Sequence, residues 1–113
     1  MSNVYIVNRG CHDHSDAERF GKILYLSEGA VNRYAVAAMY REFINGMKDS
    51  SPEDFILLTG LSVMSSIACS IFARKHGRLN LLLYKTVRDS SERGHYIERT
   101  VMIDELLKEM STS

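Results

Sequence analysis

The stretch from Asp54 to Gly77 constrains the fold more than any other part of the chain. It begins with four consecutive apolar residues, Phe55–Leu58, which are followed by a Thr-Gly turn and a long, largely uncharged segment. A short apolar run bounded by turn residues is typical of a parallel strand that is covered on both faces. Ser62 is positioned to be the N-cap of the helix that follows, and Gly77 is positioned to end it. This pattern predicts an α/β fold with free backbone N–H groups at the turn between strand and helix.

The rest of the chain predicts a single α/β domain over residues 1–113, a three-layer sandwich with a mainly parallel sheet of about five strands. Further strands are predicted at Asn3–Asn8, Lys22–Ser27, Leu79–Tyr84 and His95–Ile103, and helices at 17–20, Ala30–Lys48 and Asp104–Met110. The alternation of His95–Ile103 indicates an antiparallel edge strand at the C-terminal end. Thr86–Gly94 is polar and is predicted to be a mobile connection to that strand.

Composition excludes several classes of protein. Lys and Arg number 14 and Asp and Glu also number 14, so no net charge attracts the chain to nucleic acid or to an anionic membrane. No apolar run is long enough to cross a membrane or to act as a secretory signal, which favours the cytoplasm. The two cysteines, Cys11 and Cys69, are expected to be free thiols, with Cys11 in a loop and Cys69 inside the central helix.

The carboxyl ends of the predicted parallel strands are the expected ligand site, because loops and helix N-termini converge there. Cations, hydroxyls and free N–H groups at these ends are suited to binding a phosphate or a nucleotide. No cofactor is expected in addition. Each residue also has a simpler interpretation as a helix cap or a solvated side chain. The candidate ligand-binding residues are Asn8, Arg9, His12, Ser27, Glu28, Thr59, Gly60, Ser62 and Lys85. Arg9 is expected to carry the main charge contact to the ligand, with Ser62 both capping the helix and contacting the ligand.

The loop after the first strand offers residues for two catalytic alternatives. His12, Asp13, His14 and Asp16 offer imidazole and carboxylate ligands for a metal, which would suit a metal-dependent phosphoesterase. The helical His-x-x-x-His spacing of many metal sites is absent, however, and further ligands would have to come from elsewhere. Cys11 lacks the downstream arginine of the phosphatase signature, so a loop thiol without a catalytic role is the better interpretation. Neither a dinucleotide fingerprint nor a Walker loop is present.

The central helix also indicates self-association. No charge occurs between Leu61 and Ala73, and Tyr34 and Ile44 lie off the main apolar stripe of the preceding helix. An uncharged helix of this length suggests burial in a subunit interface as well as in a core. We therefore expect a homo-oligomer.

Several segments carry a resemblance to known proteins. They are the opening VYIVNRGCHDHSDAERFGKILYLSEG, the NRYAV segment, and the run from FILLTG to GRLNLLLYK. In these segments the chain resembles small uncharacterised proteins encoded by tailed bacteriophages. The resemblance implies a viral product that works in the cytoplasm of a bacterium. Small α/β phage proteins that bind nucleotide signals of host immunity are one class of this kind.

The leading hypothesis from the sequence is therefore a non-catalytic protein that holds a phosphate-bearing small ligand, a nucleotide signal, at the strand ends. The metal-dependent phosphoesterase is the rival from the enzyme class. A structural or host-interacting phage protein, whose polar loops have no chemical role, is the third interpretation.

Overall fold

The computed structural model describes residues 2–10, 12–86 and 94–112, which contain a five-stranded sheet, three α-helices and a short 3₁₀ helix. The strands are β1 (Asn3–Ile6), β2 (Lys22–Tyr25), β3 (Phe55–Leu57), β4 (Arg78–Lys85) and β5 (His95–Met102). The helices are α1 (Val36–Gly46), α2 (Ser62–His76) and α3 (Ile103–Thr112), and the 3₁₀ helix spans Ser15–Phe20. The predicted α/β class is confirmed.

The strands lie in the order β2-β1-β3-β4-β5. The first four are parallel, and β5 pairs antiparallel with β4 from Arg78 opposite Met102 to Lys85 opposite His95. The predicted mixed sheet with an antiparallel edge strand is confirmed. Because four parallel strands end at the same edge, the loops that follow β1, β2 and β3 converge there.

Helices α1 and α2 cover one face of the sheet. Phe43 of α1 and Phe72 of α2 are fully buried between the helices and the strands, and each contributes about 1.5–3 kcal/mol of hydrophobic stabilisation. Gly77 ends α2 in the left-handed conformation, φ 71°, and its N–H donates to the carbonyl of Ala73 at 2.8 Å. This is the predicted glycine C-cap. The buried members of this cluster are Tyr5, Val7, Leu26, Met39, Phe43, Met47, Ile56, Met64, Ala68 and Phe72.

The opposite face is covered by the 3₁₀ helix. Asp16 accepts a hydrogen bond from the backbone N–H of Tyr96 at 3.0 Å, and Arg19 donates to the carbonyl of the same residue. These bonds join the 3₁₀ helix to β5 across a second apolar cluster, whose buried members are Val4, Ile6, Ala17, Leu57, Leu82 and Tyr96. In the described part of the chain, the helical cover on this face is thus much thinner than on the other.

The amino ends of the strands are joined by buried polar side chains. Asp54 accepts hydrogen bonds from the backbone N–H groups of Asn3 and Ser51, both at 2.9 Å. Asn80 donates to the carbonyls of Pro52 at 2.6 Å and Asp54 at 2.8 Å. These bonds connect β1, β3 and β4 at the edge of the sheet that lies opposite the convergent loops.

The first α-helix is shorter than the sequence predicted. A helix was expected over Ala30–Lys48, but α1 begins only at Val36. Asn32 explains the difference, because its Oδ1 accepts from the N–H of Tyr34 at 3.0 Å and its carbonyl accepts from the N–H of Ala35 at 3.1 Å. Such a side-chain-to-backbone turn competes with the helix, so residues 30–35 form a loop.

The prediction that Ser62 is an N-cap is also wrong. Ser62 is the first residue of α2, Leu61 occupies the N-cap position, and no side chain makes a capping hydrogen bond. The hydroxyl of Thr59 accepts from the N–H of Leu61 at 3.2 Å instead. A side chain thus closes the turn at Leu61 instead of capping α2, and the first amides of α2 have no side-chain partner among the described residues.

Two predictions concern residues outside the described ranges. One is the exposed free thiol at Cys11, and the other is the mobile connection, of which residues 87–93 are not described. Within the described ranges, no helix is long and apolar enough to cross a membrane.

Candidate functional site

A cavity of about 560 Å³ lies at the carboxyl ends of the parallel strands. Three segments form it: the end of β1, the loop between β2 and α1, and the turn that leads from β3 into α2. The residues that line it are Asn8, Gly29, Val31, Arg33, Tyr34, Gly60, Leu61, Ser62, Val63 and Met64. Its position is the one that the sequence predicted for a ligand site, and its volume is in the range of small-molecule sites.

The first turn of α2 supplies backbone donors to this cavity. The amides of Ser62, Val63 and Met64 have no acceptor within the helix, as is true of the first amides of any α-helix. All three residues line the cavity, and no side chain of the described residues caps the helix. The helix dipole adds partial positive charge at the same place. An anion in the cavity would therefore meet free donors and a favourable field.

Arg33 and Tyr34, from the loop before α1, also line the cavity. The guanidinium of Arg33 lies 5.2 Å from the centre of the Tyr34 ring, and its Nη2 donates to the Tyr34 hydroxyl at 3.2 Å. Tyr34 is 80% exposed, so most of its ring is available to a ligand. Within the described ranges no carboxylate forms an ion pair with Arg33. The cavity thus combines one uncompensated cation with one open aromatic ring.

Hydrogen bonds between two loops fix the wall of the cavity. The amide nitrogen of Asn8 donates to the carbonyl of Gly29 at 3.0 Å. The Ser27 hydroxyl lies 2.6 Å from the carbonyl oxygen of Val7 and 2.9 Å from Oδ1 of Asn8. Gly29 adopts a φ of +74°, which residues other than glycine rarely do. Asn8 is therefore held at the cavity by contacts on both sides of its amide group.

The structure brings together some of the nine predicted ligand residues and separates others. Asn8, Gly60 and Ser62 line the cavity. Thr59 shapes the turn before α2, and Ser27 lies behind Asn8. Like Thr59 and Ser27, the remaining four candidates do not line the cavity; they are Arg9, His12, Glu28 and Lys85.

Arg9 points away from the cavity. Its guanidinium lies over the ring of Tyr25 at 5.3 Å from the ring centre, and its Nε is 3.9 Å from a carboxylate oxygen of Glu28. Glu28 and Ser27 line a separate cavity of about 270 Å³, and Glu42 also lines it. Lys85 is exposed at the end of β4, opposite His95 of β5.

Sequence reasoning did not include Arg33 and Tyr34 among the candidate residues, although both line the cavity. The predicted helix over Ala30–Lys48 placed Arg33 on a solvated outer surface. Asn32 is the signal that would have identified them, because asparagine often starts a turn and this one lies three residues after Gly29. A loop in place of the first helical turns moves both side chains to the edge of the sheet where ligands bind.

The His12–His14 segment lies on the other side of the sheet, next to Tyr25. The ring of His14 is 6.4 Å from the ring of His12 and 6.2 Å from that of Tyr25, measured between ring centres. His14 is only 8% exposed, and its Nδ1 has no hydrogen-bond partner in the described structure. Burial lowers the pKa of His14, the neighbouring His12 lowers it further, and Asp13 opposes the shift. No group of three or more His, Cys, Asp or Glu side chains among the described residues is arranged to hold a metal ion.

Cys69 is partly buried in α2 and packs against the cluster of apolar residues beneath the helices. Burial raises the pKa of its thiol, so the reactive thiolate is disfavoured. This environment agrees with the structural role that the sequence suggested for Cys69.

The fold and the cavity define a small α/β protein with a mainly parallel sheet and a ligand-sized cavity at the strand carboxyl ends. A comparison with protein-family models matches residues 2–103 to the phage Pam3 gp32-like protein family. Because the match covers most of the sequence, the chain belongs to this family. The resemblance to small phage proteins is thereby confirmed. No curated protein and no solved structure matched the chain.

Proposed function

We propose that the protein binds a phosphate-bearing nucleotide in the strand-end cavity and holds it without chemical change. One observation carries the proposal: the uncapped first turn of α2 and the guanidinium of Arg33 line the same cavity. A phosphate there would accept hydrogen bonds from the amides of Ser62–Met64 and from Arg33. Charge-assisted bonds of this kind contribute about 1.5–3 kcal/mol each.

The sign of the charge in the cavity supports an anionic ligand. Among the described lining residues Arg33 carries charge, and none is a carboxylate. An amine or a guanidinium in this place would meet the positive end of the α2 dipole and a cation, so it would be repelled. The described lining residues also include no histidine or cysteine, so none of them is a customary general base or thiol nucleophile. Binding without catalysis is the function that fits this lining.

The apolar part of the cavity supports a ligand that also has a planar ring. Val31, Leu61 and Val63 provide apolar surface, and the exposed ring of Tyr34 can stack on a base. Stacking between a base and an aromatic side chain contributes about 1–3 kcal/mol. A volume of about 560 Å³ is sufficient for a nucleotide. Phosphate recognition and base stacking together account for the polar and apolar sides of the cavity.

The family match supports a role during infection. A phage protein that holds a nucleotide without converting it lowers the free concentration of that nucleotide in the bacterial cytoplasm. Sequestration of a nucleotide signal of host defence is the role that we propose. Wild-type protein exposed to a lysate of infected cells should retain such a molecule, which heating would release for identification by mass spectrometry.

Calorimetric titration tests the site itself. The ligands are the adenosine and guanosine mono- and triphosphates, a set of cyclic dinucleotides, and inorganic phosphate. For the nucleotide that binds wild type best, Arg33→Ala should weaken binding by about tenfold to a hundredfold, since it removes a charge-assisted contact. Arg41→Ala is the matched control, because Arg41 is an exposed arginine of α1 that lines none of the three cavities described.

Arg9→Ala provides the second comparison. It should bind like wild type, because Arg9 lies over Tyr25 and outside the cavity. A loss of affinity in Arg9→Ala but not in Arg33→Ala would place the ligand on the His12–His14 side of the sheet and would overturn the proposal. Failure of every tested nucleotide to bind wild type would also contradict it.

A further inference from the structure

The C-terminal helix α3 displays an apolar stripe at the protein surface. Ile103, Leu106, Leu107 and Met110 follow the spacing i, i+3, i+4, i+7, which places them on one side of the helix. Leu107 is 55% exposed and Met110 is 71% exposed. A helix of 10 residues has little stability of its own in water, because helical stability in proteins comes mainly from packing of the apolar side. Such a stripe is well suited to a protein partner.

A shallow apolar groove runs between α1 and α2. Tyr40 and Ile44 of α1 form one wall, Ile67 and Ile71 of α2 form the other, and the volume is about 400 Å³. Ile44 is 52% exposed, so the groove is open to solvent. Its walls match the apolar side of an amphipathic helix, which binds such grooves through residues spaced like those of α3.

The serine hydroxyl groups that line the groove can be buried under a partner helix, because they are already hydrogen-bonded. The hydroxyl of Ser66 donates to the carbonyl of Ser62, and the hydroxyl of Ser70 donates to the carbonyl of Ser66, both at 2.8 Å. Because these donors are satisfied within α2, burying them leaves no unpaired hydroxyl proton. Arg74 lines one end of the groove, and the lining contains no carboxylate.

We propose that α3 of one copy docks into the α1–α2 groove of a second copy of this chain. Charge complementarity favours this occupant. The polar side of α3 carries three carboxylates, Asp104, Glu105 and Glu109, against one lysine, Lys108. The cation at the end of the groove is Arg74, which an acidic helix would neutralise.

The occupant is α3 of another copy because α3 of the same chain does not line the groove. β5 ends at Met102 and α3 begins at the next residue, so no linker separates them. The N–H of Ile103 also donates to the carbonyl of Gly77 at 3.1 Å. The start of α3 is therefore fixed at the end of β5, and no described residue of α3 lines the groove of its own chain.

In a two-fold dimer both grooves would be occupied, since each copy provides one α3 helix and one groove. A helix of this length is about 15 Å long and about 12 Å wide, so one contact has a footprint of roughly 200 Å². Two such contacts remain below the ~800 Å² per partner of a standard interface. The dimer should therefore be weak, with a dissociation constant in the micromolar range.

Analytical ultracentrifugation from about 1 to 200 μM tests the contact. Wild type should change from monomer to dimer across this range. Leu107→Asp on the helix and Ile44→Asp on the groove should each raise the dissociation constant at least tenfold. Tyr84→Ser is the control, because Tyr84 is exposed and lies outside both surfaces. Circular dichroism checks that each variant keeps its fold, and the alanine variants replace any aspartate variant that does not.

Mixing the two variants distinguishes this contact from other modes of association. Leu107→Asp keeps an intact groove and Ile44→Asp keeps an intact helix, so the mixture should form one good contact and dimerise more strongly than either variant alone. A dimer that loses affinity with Leu107→Asp but not with Ile44→Asp would indicate pairing between two α3 helices and would overturn the proposal. A wild type that stays monomeric at 200 μM would overturn it as well.

Discussion

Asp54 should be the polar residue whose loss most clearly destabilises the amino edge of the sheet. Its side chain is fully buried and accepts hydrogen bonds from the backbone N–H groups of Asn3 and Ser51. Asp54→Ala leaves both amides without their acceptor. Each unsatisfied buried group costs about 1–3 kcal/mol, and water entering the space left by the carboxylate lowers that cost, so we expect a total of about 3 kcal/mol.

Urea denaturation at neutral pH measures this effect, with Asp49→Ala as the control. Asp49 is exposed and lies in the turn that follows α1, so its removal should change the free energy of unfolding by less than about 0.5 kcal/mol. For a domain of this size, 3 kcal/mol corresponds to a fall in Tm of about 12 °C. A change in Asp54→Ala no larger than that in Asp49→Ala would refute the reasoning.

Asp54→Ala also separates stability from binding. Asp54 lies at the amino end of β3, whereas the cavity lies beyond its carboxyl end. Below its melting temperature, the variant should therefore bind the nucleotide with wild-type affinity. A large loss of affinity would mean that the two edges of the sheet are coupled.

Two further predictions concern titratable groups. The pKa of His14 is lowered from its ordinary value of 6.5, so the folded state binds fewer protons than the unfolded state just below that pH. The stability that neutral His14 provides is complete above pH 6.5 and is lost as the pH falls toward the folded pKa. His14→Gln should therefore flatten the dependence of the unfolding free energy on pH between 7.5 and 5.5. An unchanged dependence would contradict this prediction. In a Cys11→Ser background, the raised pKa of Cys69 should make native protein react slowly with a thiol reagent at pH 7.5 and unfolded protein react rapidly. Equal rates in the two states would show that the packing of α2 is not as described.

The sequence predicted the sheet well because its signals are local. Phe55–Leu58 and Leu79–Tyr84 are nearly continuous apolar runs, and Gly77 is a strong C-cap, so the strands and the end of α2 follow from short segments. The edge position of β5 follows from its alternation. These features do not depend on distant parts of the chain.

The lining of the cavity was predicted less completely than the sheet, because it depends on where α1 begins. The only break before the helical periodicity is at Gly29, and the sequence therefore favoured a helix that begins at Ala30. The hydrogen bond from the N–H of Tyr34 to the side chain of Asn32 decides the local conformation instead. As a result, the sequence predicted a site at the edge of the sheet where the cavity lies, but it named Arg9, whereas the arginine that lines the cavity is Arg33.

The most direct test of the proposed site is a two-dimensional NMR titration of the amide resonances with the nucleotide that binds best in calorimetry. Binding in the cavity predicts saturable shifts for the amides of Ser62, Val63 and Met64 and for Arg33, with smaller shifts of the same resonances on addition of inorganic phosphate. Resonances of the amino edge, such as that of Asn80, should stay in place. Shifts confined to the His12–His14 segment, with the first turn of α2 unaffected, would contradict the account.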